Sequence, residues 1–278
     1  MSKSRAPKAS SPKEDKEEIS TKQVKSGSKP KTPKRVKKEA PTGDVLSPEE
    51  RLASDQRAKT SLLLGIIVPW LIAPLFGVTF EGFADSFLLN LPLVPADNDS
   101  LMYLVALVMV LSTPHVFYFW TWTNSATWSK MCHKRGLEPF KAFAMCAHFI
   151  KGAQFLVLGL WARLYISDPL ALLKAMHPLK AVLILQLFGI GQLLNVQVYQ
   201  KIGEAGVYYG TRLGIHVPWV YGFPFSVVPH PQYFGATLSF WGFFLLIQTP
   251  ETVQNGLYLL CAVMAAFYAF SSWVEANL

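Results

Sequence analysis

His230 lies in a stretch, residues 206–242, that reads GVYYGTRLGIHVPWVYGFPFSVVPHPQYFGATLSFWG and sits between two strongly apolar runs. Pro218, Pro224, Pro229 and Pro231 lack a backbone N–H, so the stretch cannot be a membrane helix. Gly206, Gly210, Gly214 and Gly222 allow tight turns and close approach of a ligand. Aromatic side chains crowd between them, among them Tyr208, Tyr209, Trp219, Phe223, Phe225 and Tyr233. Irregular backbone flanked by membrane segments survives only where it is buried in protein or lines a polar cavity, which marks a site. An imidazole with an ordinary pKa near 6.5 lets His230 accept a proton at neutral pH. The same side chain also suits capping the loop or donating to a phosphate. Arg212 can pair with a phosphate through charge-assisted hydrogen bonds, or anchor the chain at a membrane surface. Cys132-His133 and Cys146-Ala147-His148 have no further ligands at useful spacing, so no metal site is expected.

The elements that must hold these residues are membrane helices. The chain is 278 residues long and 51% apolar, with a mean hydropathy of +0.27. Residues 1–45 carry 13 Lys and Arg against 6 Asp and Glu, so the tail holds +7 of the net charge of +8. The rest has no basic face, which argues against nucleic acid as a partner. The tail, rich in Lys, Ser and Pro, cannot bury enough surface to offset its ordering entropy and is expected to be disordered. It lacks the apolar core of a secretory signal peptide. Six apolar runs follow, at 60–80, 101–123, 142–166, 179–199, 233–247 and 256–273. The fold class predicted is all-α: a polytopic membrane bundle of about six spans with a disordered basic tail. Residues 46–100 form an N-terminal extra span and loop, and 101–278 the core.

Local signals refine this picture. Ser47-Pro48-Glu49-Glu50 reads as a helix start. The aromatics of 117–122 suit an interfacial belt, and could also form a cation-binding wall. His148 and Lys151 fall within a span, close enough to its start to snorkel to the interface. The last two runs, joined by a short turn, form an antiparallel hairpin that returns Glu275 to the side of the 206–242 stretch. The tail, the 124–141 loop and that stretch carry the Lys and Arg, whereas 81–100 and 248–255 carry none. By the positive-inside rule both chain ends and the site face the cytosol, and insertion into the endoplasmic reticulum is expected.

Four motifs in order complete the reading: Gly189-Ile190-Gly191, Phe223-Pro224-Phe225, His230-Pro231-Gln232-Tyr233-Phe234-Gly235, and an acid at Glu275. Their sequence and spacing resemble the phospholipid methyltransferases, over roughly residues 105–278. That family has two adjacent acids near the C-terminus; here the first position is Val274. The resemblance implies S-adenosyl-L-methionine as methyl donor, held by Gly189, Ile190, Gly191, Pro231, Tyr233, Gly235 and Glu275. It implies an ethanolamine-headgroup phospholipid as acceptor, with Arg212, Phe223 and Phe225 binding it and His230 as catalytic base. The oligomeric state is not indicated. Methylation of a lipid amine is an in-line displacement that positioning can accelerate, and cation–π contacts suit both the sulfonium and the ammonium. Two other readings share the architecture: a prenylcysteine carboxyl methyltransferase, similar around His230–Gly235, and an inactive lipid-binding scaffold.

Overall fold

The computed structural model describes residues 47–87, 91 and 94–278, so the expected disorder of residues 1–45 lies outside the described residues. Helix α1 (Pro48–Ile72) begins on a capping box: Ser47 Oγ accepts from the Glu50 N–H, and Glu50 Oε2 accepts from the Ser47 N–H at 2.7 Å. It runs through Pro69 into a 3₁₀ turn, Ala73–Phe76, that ends on Gly77 with a left-handed backbone. The helices that follow are α2 (Asn98–Thr123), α3 (Ser125–His133), α4 (Pro139–Tyr165) and α5 (Pro169–Lys174). After them come α6 (Pro178–Val207), α7 (Pro231–Leu246), α8 (Pro250–Gln254) and α9 (Leu257–Asn277). Proline at the first turn of five of these eight, as of α1, costs nothing there, because its missing N–H would have had no partner.

Among the described residues, five helical segments are long and apolar enough to cross a membrane: Pro48–Phe76, Asn98–Thr123, Pro139–Tyr165, Pro178–Val207 and Leu257–Asn277. About six spans were expected, and the sixth run, α7, is the shortest: it would cross only where the bilayer thins around it. Its 16 residues are about 24 Å of helix, less than the roughly 30 Å of a typical hydrocarbon core. The 233–247 run is apolar throughout but ends where Gln248-Thr249-Pro250 begins α8.

The core lies between α2, α4, α7 and α9. Leu107, Leu111, Leu158, Phe240, Phe244, Leu260 and Met264 are all buried there. A second cluster joins α4 and α6 to the segment after α6: Phe143, Ala147, Val198, Tyr208, Tyr209 and Leu213. The aromatics expected to form an interfacial belt help build it. Phe117 and Tyr118 pack on Phe143, and Trp122 meets Tyr209 edge-on with 4.9 Å between ring centres.

The α6–α7 seam is set by glycine. A Cβ on Gly191 would fall 2.5 Å from the Gly235 carbonyl oxygen and from Ser239 Oγ; one on Gly235 would fall 2.6 Å from the Gly191 oxygen. A turn further on, Gly242 lets Phe188 come as near as 3.1 Å to its missing Cβ. Small residues on facing helices let backbones approach, which is how membrane helices gain packing contact. Ser239 closes the seam by donating to the Gly235 carbonyl and accepting from Gln192 Nε2, each at 2.9 Å.

Polar side chains inside the bundle turn inward. Lys151 does not snorkel: Nζ donates to Tyr268 Oη at 2.6 Å and to Gln154 Oε1 at 3.1 Å, and lies 5.0–5.4 Å from the Tyr268 and Phe240 ring centres. Gln154, fully buried, donates to the Leu111 carbonyl. His148, an exposed residue, bonds Ala144 O through Nδ1 and Tyr208 Oη through Nε2.

Candidate active site

Where α6 ends the chain turns sharply. Gly203 has a non-helical backbone (φ 66°, ψ 179°), and Tyr209 adopts φ 59°. A bulky residue in the left-handed region is strained and persists only where packing fixes it. Tyr209 is buried, stacked on Phe143 and edge-on to Trp122 and Tyr118. The strain aims its hydroxyl into a cavity of about 170 Å³.

That cavity is bounded by Trp122 from α2, Val198 and Ile202 from α6, Tyr209 and Phe225 from the irregular stretch, and Tyr233 and Glu275 from α7 and α9. His230 and Pro231 also face it, as do Gln232 and Thr211. The antiparallel course of α7 and α9 brings the first turn of one against the last turn of the other, as the short turn between them led one to expect. Tyr233 Oη donates to Glu275 Oε1, and Tyr209 Oη lies 3.4 Å from Tyr233 Oη. With the Tyr233 hydrogen committed to the carboxylate, Tyr209 is the donor in that pair. Two phenols therefore feed hydrogen bonds in series to one carboxylate.

His230 precedes α7 but makes no side-chain capping bond to it. Its ring lies against Tyr233, and Nδ1 is 4.0 Å from Glu275 Oε2. The nearby carboxylate would favour imidazolium, yet burial prevails and holds the His230 pKa below 6.5. At neutral pH the imidazole is uncharged and its ring can accept a proton. Glu275 retains 21% of its side-chain exposure and His230 31%, so both are open to a small ligand. Arg212, exposed, stacks its guanidinium 4.1 Å from the centre of the Trp122 ring at the edge of the cavity. Val274, at the position where the resemblance would put another acid, is 2% exposed and packed in the bundle.

Of the residues expected from sequence, His230, Pro231, Tyr233, Phe225 and Glu275 come together on this cavity, with Arg212 beside it. Gly191 and Gly235 lie in the helix seam next to it. Gly189, Ile190 and Phe223 do not join them. They line a second, apolar cavity of about 630 Å³ between α1 and α6. Sequence reasoning missed Tyr209 as a cavity wall; Trp122 belongs to the aromatics that could form a cation-binding wall, and the Tyr209 backbone turn puts the two side by side. Among the described residues no group of three His, Cys, Asp or Glu side chains is arranged to hold a metal.

The fold and the cavity define a polytopic helical membrane protein with a small site that joins a carboxylate, an imidazole and aromatic faces. Residues 179–278 match the family model described as phospholipid methyltransferase. The chain is 42% identical over 138 residues to the phosphatidyl-N-methylethanolamine N-methyltransferase of Arabidopsis thaliana, covering 50% of this chain and 76% of that protein. It is 38% identical over 90 residues to the Saccharomyces cerevisiae protein of the same name, and 40% identical over 90 residues to that of Emericella nidulans. These matches cover 32% of this chain and 42% and 43% of those proteins. No solved structure matches the chain. The chain belongs to the phospholipid methyltransferase family, and is a methyltransferase of lipid.

Proposed function

We propose that this protein transfers a methyl group from S-adenosyl-L-methionine to the amine of an ethanolamine phospholipid, with phosphatidyl-N-methylethanolamine as the acceptor its relatives' names point to. The observation that carries this reading is the half-buried carboxylate of Glu275 inside an aromatic cavity, 4.0 Å from a neutral imidazole. Carboxylate and ring faces fit a cation bearing methyl groups, and cation–π contacts contribute roughly 0.5–2 kcal/mol each. A cavity of about 170 Å³ is smaller than the ~300–1,000 Å³ of sites for drug-sized ligands. It suits a head group or the reacting end of the donor, with the remainder outside it.

S-adenosyl-L-methionine, when bound, supplies a methyl carbon on a positively charged sulfur, and attack by the amine lone pair breaks that bond. The protein's own part is to bind, orient and deprotonate. His230 accepts the amine proton. Glu275, fixed by Tyr233, holds positive charge in the cavity and, with Gly191, Gly235 and Pro231 shaping the wall, contributes to the donor site. Gly189 and Ile190 act from the far side of the same turn of α6. Arg212 pairs with the lipid phosphate while Trp122 braces its guanidinium. Phe223 and Phe225 border the acceptor.

The cavity side carries Lys130, Lys134, Arg135 and Lys141 from α3 to the start of α4, whereas 248–255 carries no Lys or Arg. This supports a cytosolic site and, with α7 crossing as a sixth span, both termini cytosolic; residence in the endoplasmic reticulum is proposed with it. The test is methyl incorporation from labelled S-adenosyl-L-methionine into lipids of membranes holding wild type, Gly191→Leu or Glu275→Ala. Label in a methylated ethanolamine lipid with wild type, lost in both variants, is expected. No lipid label from folded protein supplied with each acceptor would sink the reading.

A further inference from the structure

The larger cavity is distinct from the polar one, and apart from Gly189, Ile190 and Phe223 its walls have no part in the chemistry above. It lies between α1 and α6, with Ala58, Leu62, Gly65 and Pro69 on one wall and Val182, Gly189 and Leu193 on the other. Residues 58, 62, 65 and 69 form one stripe of α1 at the spacing of a helix face. Two facing glycines make the groove wide: neither Gly65 nor Gly189 has any atom within 4 Å of where a Cβ would stand. Elsewhere on α6 glycine serves the opposite purpose, since at Gly191 the space is filled by α7.

Polar clasps hold the groove open at both ends. At one, Gln186 accepts from Trp70 Nε1 at 2.7 Å and donates to the Gly65 and Ile66 carbonyls. At the other, Asp55 accepts from Ser226 Oγ at 2.5 Å and pairs with Lys59. Between the clasps α1 has no buried residue, so it stands off the bundle rather than packing on it.

The groove and the active-site cavity are lined by residues that are neighbours in the chain. Phe223 lines the groove and Phe225, two residues on, lines the polar cavity; Gln197 and Val198 stand in the same relation on α6. From Val182 to Gln197 the groove follows about 22 Å of helix, more than the roughly 15 Å of one leaflet.

We propose that the α1–α6 groove holds an acyl chain of the phospholipid whose head group occupies the cavity of His230 and Glu275, with Phe223-Pro224-Phe225 as the divider between chain and head group. This rests on the functional reading above, and gives α1 a role as the outer wall of a lipid site. An apolar channel of this length gains affinity with each methylene it takes up, so it selects long chains.

Two measurements on the full-length protein in nanodiscs of phosphatidylglycerol test it. In the first, phosphatidyl-N-methylethanolamine carrying a diazirine near the end of one acyl chain is photolysed, and adducts are mapped by mass spectrometry. Adducts on peptides holding Leu62, Gly65 and Leu193, absent when the same chain is carried by phosphatidylglycerol, are expected. Adducts independent of head group, or spread over the lipid faces of α2 and α4, overturn the proposal. In the second, Gly65→Phe and Leu62→Trp fill the groove, with thermal unfolding confirming that each folds. KM for dioleoyl acceptor should rise by about tenfold while kinetics with dihexanoyl acceptor stay within about twofold of wild type. Unchanged KM for the long-chain lipid in both folded variants overturns the proposal. Catalytic silence of wild type with head-group-selective adducts in the groove would instead defeat the functional reading and leave the groove assignment standing.

Discussion

Gly191 and Gly235 face each other across the α6–α7 seam with no room for a methyl group, each lying 2.5–2.6 Å from the other's carbonyl as measured from a would-be Cβ. The contact is backbone on backbone, so neither side can yield by changing rotamer. Gly191→Leu and Gly235→Leu should each destabilise the bundle by about 1–3 kcal/mol or more, as overpacking does. Gly189→Ala, whose added methyl meets nothing, should leave stability equal or raise it by up to about 1 kcal/mol. Thermal unfolding in detergent separates the two outcomes; equal losses at 189 and 191 would contradict the seam.

The Tyr209–Tyr233–Glu275 series makes a second expectation. Tyr233→Phe removes the donor that fixes the carboxylate, and hydrogen bonds to charged groups contribute about 1.5–3 kcal/mol. A loss of roughly tenfold to a hundredfold in kcat/KM for methyl transfer should follow, and a larger one for Glu275→Gln. A Tyr233→Phe enzyme as active as wild type would show that Glu275 is held by other means.

His230 sets the pH dependence. Burial places its pKa below 6.5, so the neutral base is already the main form at pH 7. The rate should therefore be flat from pH 7 upward on account of this group, and fall as pH drops through a pKa below 6.5. His230→Gln should abolish that acid limb and lower kcat by about 10²–10⁴, the usual worth of a positioned base. A limb that survives in His230→Gln would assign the proton to another group.

Arg212 should act on lipid binding and not on turnover. Its guanidinium stacks on Trp122, an arrangement lysine cannot reproduce. Arg212→Ala and Trp122→Leu should each raise KM for lipid several-fold, roughly 1 kcal/mol, with kcat little changed. Arg212→Lys should restore only part of the loss.

Lys151 offers a test of bundle energetics. Its ammonium is enclosed by Tyr268, Gln154 and ring faces, with no carboxylate within ion-pair distance among the described residues. Replacing it by Met, similar in length, should be neutral or stabilising, because the cost of burying a charge disappears. Tyr268→Phe should cost about 1–3 kcal/mol by stripping the buried ammonium of a partner. Chemical denaturation of the two variants checks the sign.

Hydropathy and helix-start signals made most of the architecture legible: the Ser47 capping box, five spanning helices, and the return of Glu275 to the broken stretch. The grouping of His230, Tyr233 and Glu275 was legible because proline and glycine break the chain just before His230 and a short turn brings α9 back along α7. What stayed hidden depends on rotation about helix axes. Polar residues of α6, among them Gln186, Gln192, Asn195 and Gln197, are scattered around it, so nothing in its sequence says that Gly191 faces α7 while Gly189 faces the groove. Lys151 was misread for a related reason: depth from the start of a span does not reveal a tyrosine hydroxyl on another helix. The groove itself hangs on Gln186, one polar residue in an apolar run, whose partners lie more than a hundred positions earlier in the chain.

The brevity of α7 bears on the membrane around the protein. A helix of about 24 Å beside longer neighbours draws the lipid–water boundary inward on its side, a hydrophobic mismatch whose cost grows with each ångström of difference. Internal bilayers of roughly 27 Å need less deformation to meet it than plasma membranes of roughly 32 Å. On the proposed function, such a dip would suit a thinner internal bilayer and shorten the path from water to Glu275.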